Sequence, residues 1–182
     1  MSNPPRGRER VSRARHVLVA LLVVLGGCAV PADGPPTATG NDVRVTVSNE
    51  HDERSLVRVT ALPPAVDGVE VTYENGSTRR FDVPSFDALP NGSLRNATDV
   101  APVAAERPSA EFAVDPSAGV GTTLEDVPAN ATVVYFLLTA DGRRVRAAGV
   151  VRCTPDAEVT DLTVRIRPDG SVHSAVSCRG EA

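Results

Sequence analysis

Lysine, glutamine and tryptophan are absent from this 182-residue chain, and its one methionine is Met1. All 19 basic residues are therefore arginine, set against 23 acids for a formal charge of −4. A nucleic-acid binder carries a basic face, which this balance does not supply, so no nucleic-acid partner is expected. Histidine is scarce as well, occurring only at His16, His51 and His173. Beyond the amino-terminal segment, a serine or cysteine nucleophile could be served only by His51 or His173, and neither stands in a Gly-x-Ser-x-Gly context. No catalysis is expected. A blue-copper centre needs two histidines, a cysteine and usually an axial methionine; with Met1 alone, and no cysteine closely followed by histidine, that ligand set cannot be assembled in its usual form. Phosphate-cradling glycine loops are missing. The aromatics, Tyr73, Tyr135, Phe81, Phe86, Phe112 and Phe136, fall on segments that read as strand faces rather than as a platform for sugars or bases. No cofactor is called for.

Long hydrophobic runs are lacking too. The longest at the amino terminus, Val17 to Leu25, rises about 1.5 Å per residue and spans roughly half of a 30 Å hydrocarbon core, which suits a signal-peptide core better than a transmembrane helix. Five arginines, Arg6, Arg8, Arg10, Arg13 and Arg15, precede it, and Leu25-Gly26-Gly27-Cys28 closes it. This arrangement resembles the lipobox of secreted lipoproteins. The resemblance implies cleavage before Cys28, a lipid on its thiol, and localisation at the cell membrane on the extracytoplasmic face. The alternative is an uncleaved signal anchor. No adjacent Arg-Arg pair lies in the leader, and the general secretory and twin-arginine routes both remain open.

Residues 1–27 thus read as a lipoprotein signal peptide, 28–41 as a Pro/Gly-rich tether and 42–182 as the folded domain. The tether holds Pro31, Gly34, Pro35, Pro36 and Gly40 without apolar periodicity, so it buries too little to order itself. Cleavage would leave 14 arginines against 22 acids, a formal −8. This lysine-free acidic balance resembles the proteome style of haloarchaea, where hydrated carboxylates keep proteins soluble in concentrated salt; a GC-rich bacterial codon bias is the alternative.

From Asp42 the pattern alternates with period two. Val43, Val45 and Val47 share one face, with Arg44, Thr46 and Ser48 on the other. Further strands are read at 55–62, 69–73, 78–83, 110–114, 120–126, 132–139, 143–153, 159–167 and 171–178. Asn75-Gly76 and Asp141-Gly142 mark hairpins, and Pro168-Asp169-Gly170 a turn. Residues 84–108, punctuated by Pro84, Pro90, Pro102 and Pro108, hold either a short helix near 101–107 or a solvated loop that carries a binding surface. The strand count and spacing predict an all-β fold, an antiparallel β-sandwich. The piece from Leu124 to Val127, followed by Thr132-Val133-Val134-Tyr135, is similar to the corner before a Tyr-bearing strand in immunoglobulin-like and fibronectin-III-like domains. Absence of tryptophan departs from the immunoglobulin core.

Cys153 and Cys178 form an even pair in an exported chain, which favours a disulfide over two buried thiols. If their strands run the same way with one reversed strand between, the bridge must lie past the sheet margin or between sheets. Neither belongs to a Cys-x-x-Cys pair, so no metal site is expected. Four Asn-x-Ser/Thr sequons, at Asn75, Asn91, Asn96 and Asn130, fall at turns or loops and are candidate N-glycosylation sites. His51 sits in Asn49-Glu50-His51-Asp52-Glu53, an acidic turn for which a carboxylate–histidine metal site is the alternative, and His173 reads as a surface residue.

The reading that uses all these features is a lipid-anchored, non-catalytic interaction or structural module. Its partners are the membrane, through Cys28, and an unidentified envelope protein. The alternatives are a ligand-binding accessory of a transporter or envelope complex, with a site formed by residues 84–108 and the sandwich-end turns, and a hydrolase with an unfamiliar site.

Overall fold

The alternating valines of the first strand dictate how the domain begins. In the computed structural model, which describes residues 40–180, β1 (Asn41–Asn49) buries Val43, Val45 and Val47 completely while Arg44 and Thr46 stay exposed. On one side β1 lies antiparallel to β7 (Ala118–Val127); on the other it pairs with β10 (Ala157–Ile166), and this contact is parallel. The register sets Val45 beside Leu162 and Val47 beside Val164, so both strands turn their apolar residues to the same face. The parallel pair is a departure from the all-antiparallel expectation; every other pair follows it. β11 (Val172–Gly180) completes a sheet of order β11-β10-β1-β7.

The facing sheet has the order β6-β2-β8-β9, built from β6 (Ser109–Val114), β2 (Ser55–Leu62), β8 (Thr132–Thr139) and β9 (Val145–Val151). Val57, Val59 and Ala61 of β2 sit opposite Leu137, Tyr135 and Val133 of β8, and all point at the first sheet. The sandwich core comprises these residues with Leu124, Leu162, Val164 and Ile166.

β8 explains itself on its other face. Its run TVVYFLLT is apolar without interruption because both sides are covered. Val134, Phe136 and Leu138 point away from the sandwich into a second core with Leu62, Val69, Val71, Phe81, Phe86, Ala97 and Val100. Of these, Val69, Val71, Phe81, Ala97 and Val100 come from a third, three-stranded sheet of order β4-β3-β5, formed by β3 (Val69–Tyr73), β4 (Thr78–Phe81) and β5 (Ala97–Pro102), whereas Leu62 ends β2. The molecule therefore has three layers rather than two.

That third layer corrects the reading of residues 84–108. They contain neither one long loop nor a helix near 101–107: a 3-10 turn at Phe86–Ala88 seats Phe86 in the second core, and residues 97–102 form β5. Phe86 is thus a turn residue and not part of a strand face. Arg107 folds the following segment back by pairing with Asp99 and donating to the Val100 carbonyl.

The hairpin expectations hold at 75–76 and 141–142, and the turn at 168–170 likewise. In each, the glycine alone takes positive φ: Gly76 at 76°, Gly142 at 70° and Gly170 at 78°. Its N–H donates to the carbonyl three residues back, on Tyr73, Thr139 and Arg167 respectively.

Candidate functional site

Strand polarity gathers one set of connections at a single end of the sandwich. β1 starts there, where the Asn41 amide donates to the Val159 carbonyl at 2.9 Å. β2 ends there at Leu62, β8 begins at Thr132, and β9 ends two residues before Cys153. Between this end and the third layer lies a cleft of about 560 Å³. Pro63, Pro64, Phe86 and Pro155 supply apolar walls; Asn130, Thr132 and Thr154 add amide and hydroxyl groups. Arg152 and Asp87, both about half exposed, form an ion pair across its mouth. The prolines hold these walls rigidly because their φ is fixed. Volume and lining fall in the range of small-molecule or peptide-segment sites. Its lining offers apolar contact, a few hydrogen bonds and one paired charge of each sign, and its cysteine is bridged.

Cys153 and Cys178 are joined, with their α-carbons 5.9 Å apart. Their strands do not share a sheet: Cys153 follows β9, the margin of the second sheet, and Cys178 lies in β11, the margin of the first. The bridge is therefore an inter-sheet clip, one of the two placements expected, and it sits beside the cleft.

A family model described as halobacterial Ig domain protein matches residues 10–182. The chain belongs to this family. No curated protein matches it. The immunoglobulin-like sandwich and the haloarchaeal character read from composition both agree with that membership.

In this halobacterial Ig domain the remaining sequence-predicted residues disperse. Cys28 and the rest of the leader and tether up to residue 39 lie outside the described residues. All four sequon asparagines are exposed, Asn75 at the β3–β4 tip, Asn91 and Asn96 at the two ends of the turn before β5, and Asn130 on the cleft wall before β8. His51 is a turn residue: its Nδ1 accepts the Glu53 N–H at 3.1 Å, and its ring lies against Gly170 in the β10–β11 turn. His173 is exposed on β11. Among the described residues no group of three or more His, Cys, Asp or Glu side chains is placed to hold a metal ion.

Two carboxylates are held below their ordinary range, and both belong to turns. The Thr139 hydroxyl, followed by the Arg143 N–H, stabilises ionised Asp141; the Ser171 hydroxyl and N–H do the same for Asp169. The cleft itself escaped the residue-by-residue reading, since Pro63, Pro64, Phe86 and Arg152 are 89 positions apart at the extremes and carry no motif. The usable signal was regional: residues 84–108 together with the sandwich-end turns.

Proposed function

We propose that this halobacterial Ig domain protein is lipid-anchored through Cys28 on the extracytoplasmic face of the membrane, where its sandwich serves as a non-catalytic interaction or structural module. The observation that carries the reading is the Cys153–Cys178 bridge. Disulfides belong to oxidising compartments. With two of the three cysteines joined, Cys28 is left as the one thiol, at the end of the Leu25-Gly26-Gly27-Cys28 tetrad. The family match begins at residue 10 and so spans the apolar run and the tetrad together with the sandwich. One acyl chain alone gives weak membrane attachment, so a stable anchor needs two chains or a second contact. Mass spectrometry of protein extracted from membranes tests the anchor. A lipid-bearing Cys28 as first residue supports it; an intact leader, or an unmodified chain in the cytosol, rejects it.

The cleft favours a second reading, a ligand-binding accessory of a transporter or envelope complex. Co-purification from detergent-solubilised envelopes, with the wild-type chain and with Arg152→Glu, separates the two. Loss of a partner in the variant assigns binding to the cleft, whereas an unchanged partner set assigns it to the sandwich faces.

A further inference from the structure

The four sequons, two Asn-Gly-Ser and two Asn-Ala-Thr, are placed unequally in the fold. At Asn75 the Oδ1 atom accepts both the Ser77 N–H at 3.0 Å and the Ser77 hydroxyl at 2.7 Å. Both bonds fall on the oxygen, so the reactive Nδ2 is not engaged by the turn. Asn75, Gly76 and Ser77 are all exposed, and space around Gly76 is open. At Asn91 the serine is turned aside, its hydroxyl bonded to the Pro90 carbonyl at 2.7 Å. Asn96 and Asn130 are different again. Each asparagine is exposed at positive φ, but the two residues after it are buried: Ala97 and Thr98 in β5, and Ala131 and Thr132, the latter the first residue of β8. Thr98 is 6% and Thr132 7% exposed, and the Thr98 hydroxyl donates to the Thr72 carbonyl.

A glycosyltransferase has to read the hydroxyl two residues after the asparagine as well as the asparagine itself. We propose that Asn75 is the N-glycosylation site of the folded domain, that Asn91 is a slower second site, and that Asn96 and Asn130 close once the strands form. The donor is an oligosaccharide linked through phosphate to a lipid. The Asn75 nitrogen forms a bond to the anomeric carbon, the carbon–oxygen bond to phosphate breaks, the amide proton passes to a base of the transferase, and the lipid phosphate leaves.

The placement is consistent with an open cleft. β9 runs from Val145, whose N–H bonds the Glu74 carboxylate beside Asn75, to Val151 near the cleft wall at Cys153. Its seven residues span roughly 20 Å. A glycan on Asn75 therefore stands at the far end from the cleft, whereas one on Asn130 would occupy the cleft wall.

Extracytoplasmic exposure in the cell rests on the proposed function, but the chemistry can be tested apart from it. The purified, unglycosylated chain is incubated in molar salt with haloarchaeal membranes and lipid-linked oligosaccharide, and site occupancy is read by peptide mass spectrometry. Synthetic peptides covering 72–79, 93–100 and 127–134 serve as unfolded acceptors. Since access to Thr98 or Thr132 requires local opening, Asn75 should exceed Asn96 and Asn130 by at least about tenfold in the folded chain, and that preference should disappear among the peptides. Modification of Asn96 or Asn130 at the Asn75 level in the folded chain, an unmodified Asn75, or the same preference among the peptides overturns the proposal. Failure of the anchor would appear separately, in the mass of Cys28.

Discussion

Tyr135 lays its ring across the α-carbon of Gly149, its register partner on β9. A β-carbon at 149 would come within 2.5 Å of the phenolic oxygen and closer still to the ring carbons. The glycine is there for space, and the ring covers the strand margin that its missing side chain leaves open. Gly149→Ala should cost about 1–3 kcal/mol in denaturant unfolding at fixed salt. In a Tyr135→Leu background the same substitution should cost clearly less, because the ring it collides with is gone. Equal costs in the two backgrounds would refute a steric origin.

The Cys153–Cys178 clip closes a segment with a sequence separation of 25 and ties the margins of two sheets that otherwise meet only lightly on that side. Cross-linking residues at that separation is worth about 3–4 kcal/mol, mainly through the unfolded chain. The double variant Cys153→Ala, Cys178→Ala should lose about that much by equilibrium denaturation. A loss below about 1 kcal/mol would mean that the sheets are held by the core alone.

How far the fold could be read from sequence follows from which residues pack on one face and which on two. β2, β3 and β8 were legible to the residue, because proline pairs, Asn-Gly and Asp-Gly bound them and their side chains are apolar or strictly alternating. The uninterrupted apolar run of β8 also held the clue to a third layer, since a strand of a two-layer sandwich shows polar residues on its outer face. β5 was missed because Ala97-Thr98-Asp99-Val100 alternates only weakly and ends in Pro102, a residue that marks a margin. The parallel β1–β10 contact carries no local signal: two alternating strands look alike whichever way their neighbour runs. Of the site, the cysteine pair was legible from compartment and parity, whereas the cleft depends on where Phe86 and Arg152 arrive in space.

Asp141 should titrate below an ordinary aspartate. Its folded value is lowered first by the Thr139 hydroxyl, at 2.5 Å, and then by the Arg143 N–H. Because the folded value lies below the unfolded one, the stabilising contribution is fully present above the unfolded value near pH 4 and is lost as pH falls through the folded value. Asp169 behaves in the same sense through Ser171. Carboxylate NMR titration in Thr139→Val should move the Asp141 midpoint upward and leave Asp169 unchanged. A midpoint unmoved by the substitution would assign the depression to something other than the turn.

Salt dependence follows from the charge of the chain beyond the proposed leader. Residues 28–182 carry 22 acids and 14 arginines. Seven arginines make ion pairs among the described residues, including Arg58 with its β6 register partner Glu111 and Arg107 with Asp99 of β5. The exposed pairs among them, such as Arg54 with Asp115 and Arg80 with Asp82, contribute little each, and the whole set leaves a net excess of carboxylate. The screening length grows from about 3 Å in molar salt to about 10 Å at 0.1 M, so withdrawing salt lets those carboxylates repel across the folded surface. The chain from residue 28 onward should lose β-structure by circular dichroism between molar salt and a few tens of millimolar. Substituting Asp or Glu by Asn or Gln at exposed positions such as Glu125 and Asp52 should move the transition to lower salt. A spectrum unchanged over the whole range, or a transition indifferent to acid removal, would show that packing of the two cores outweighs the repulsion.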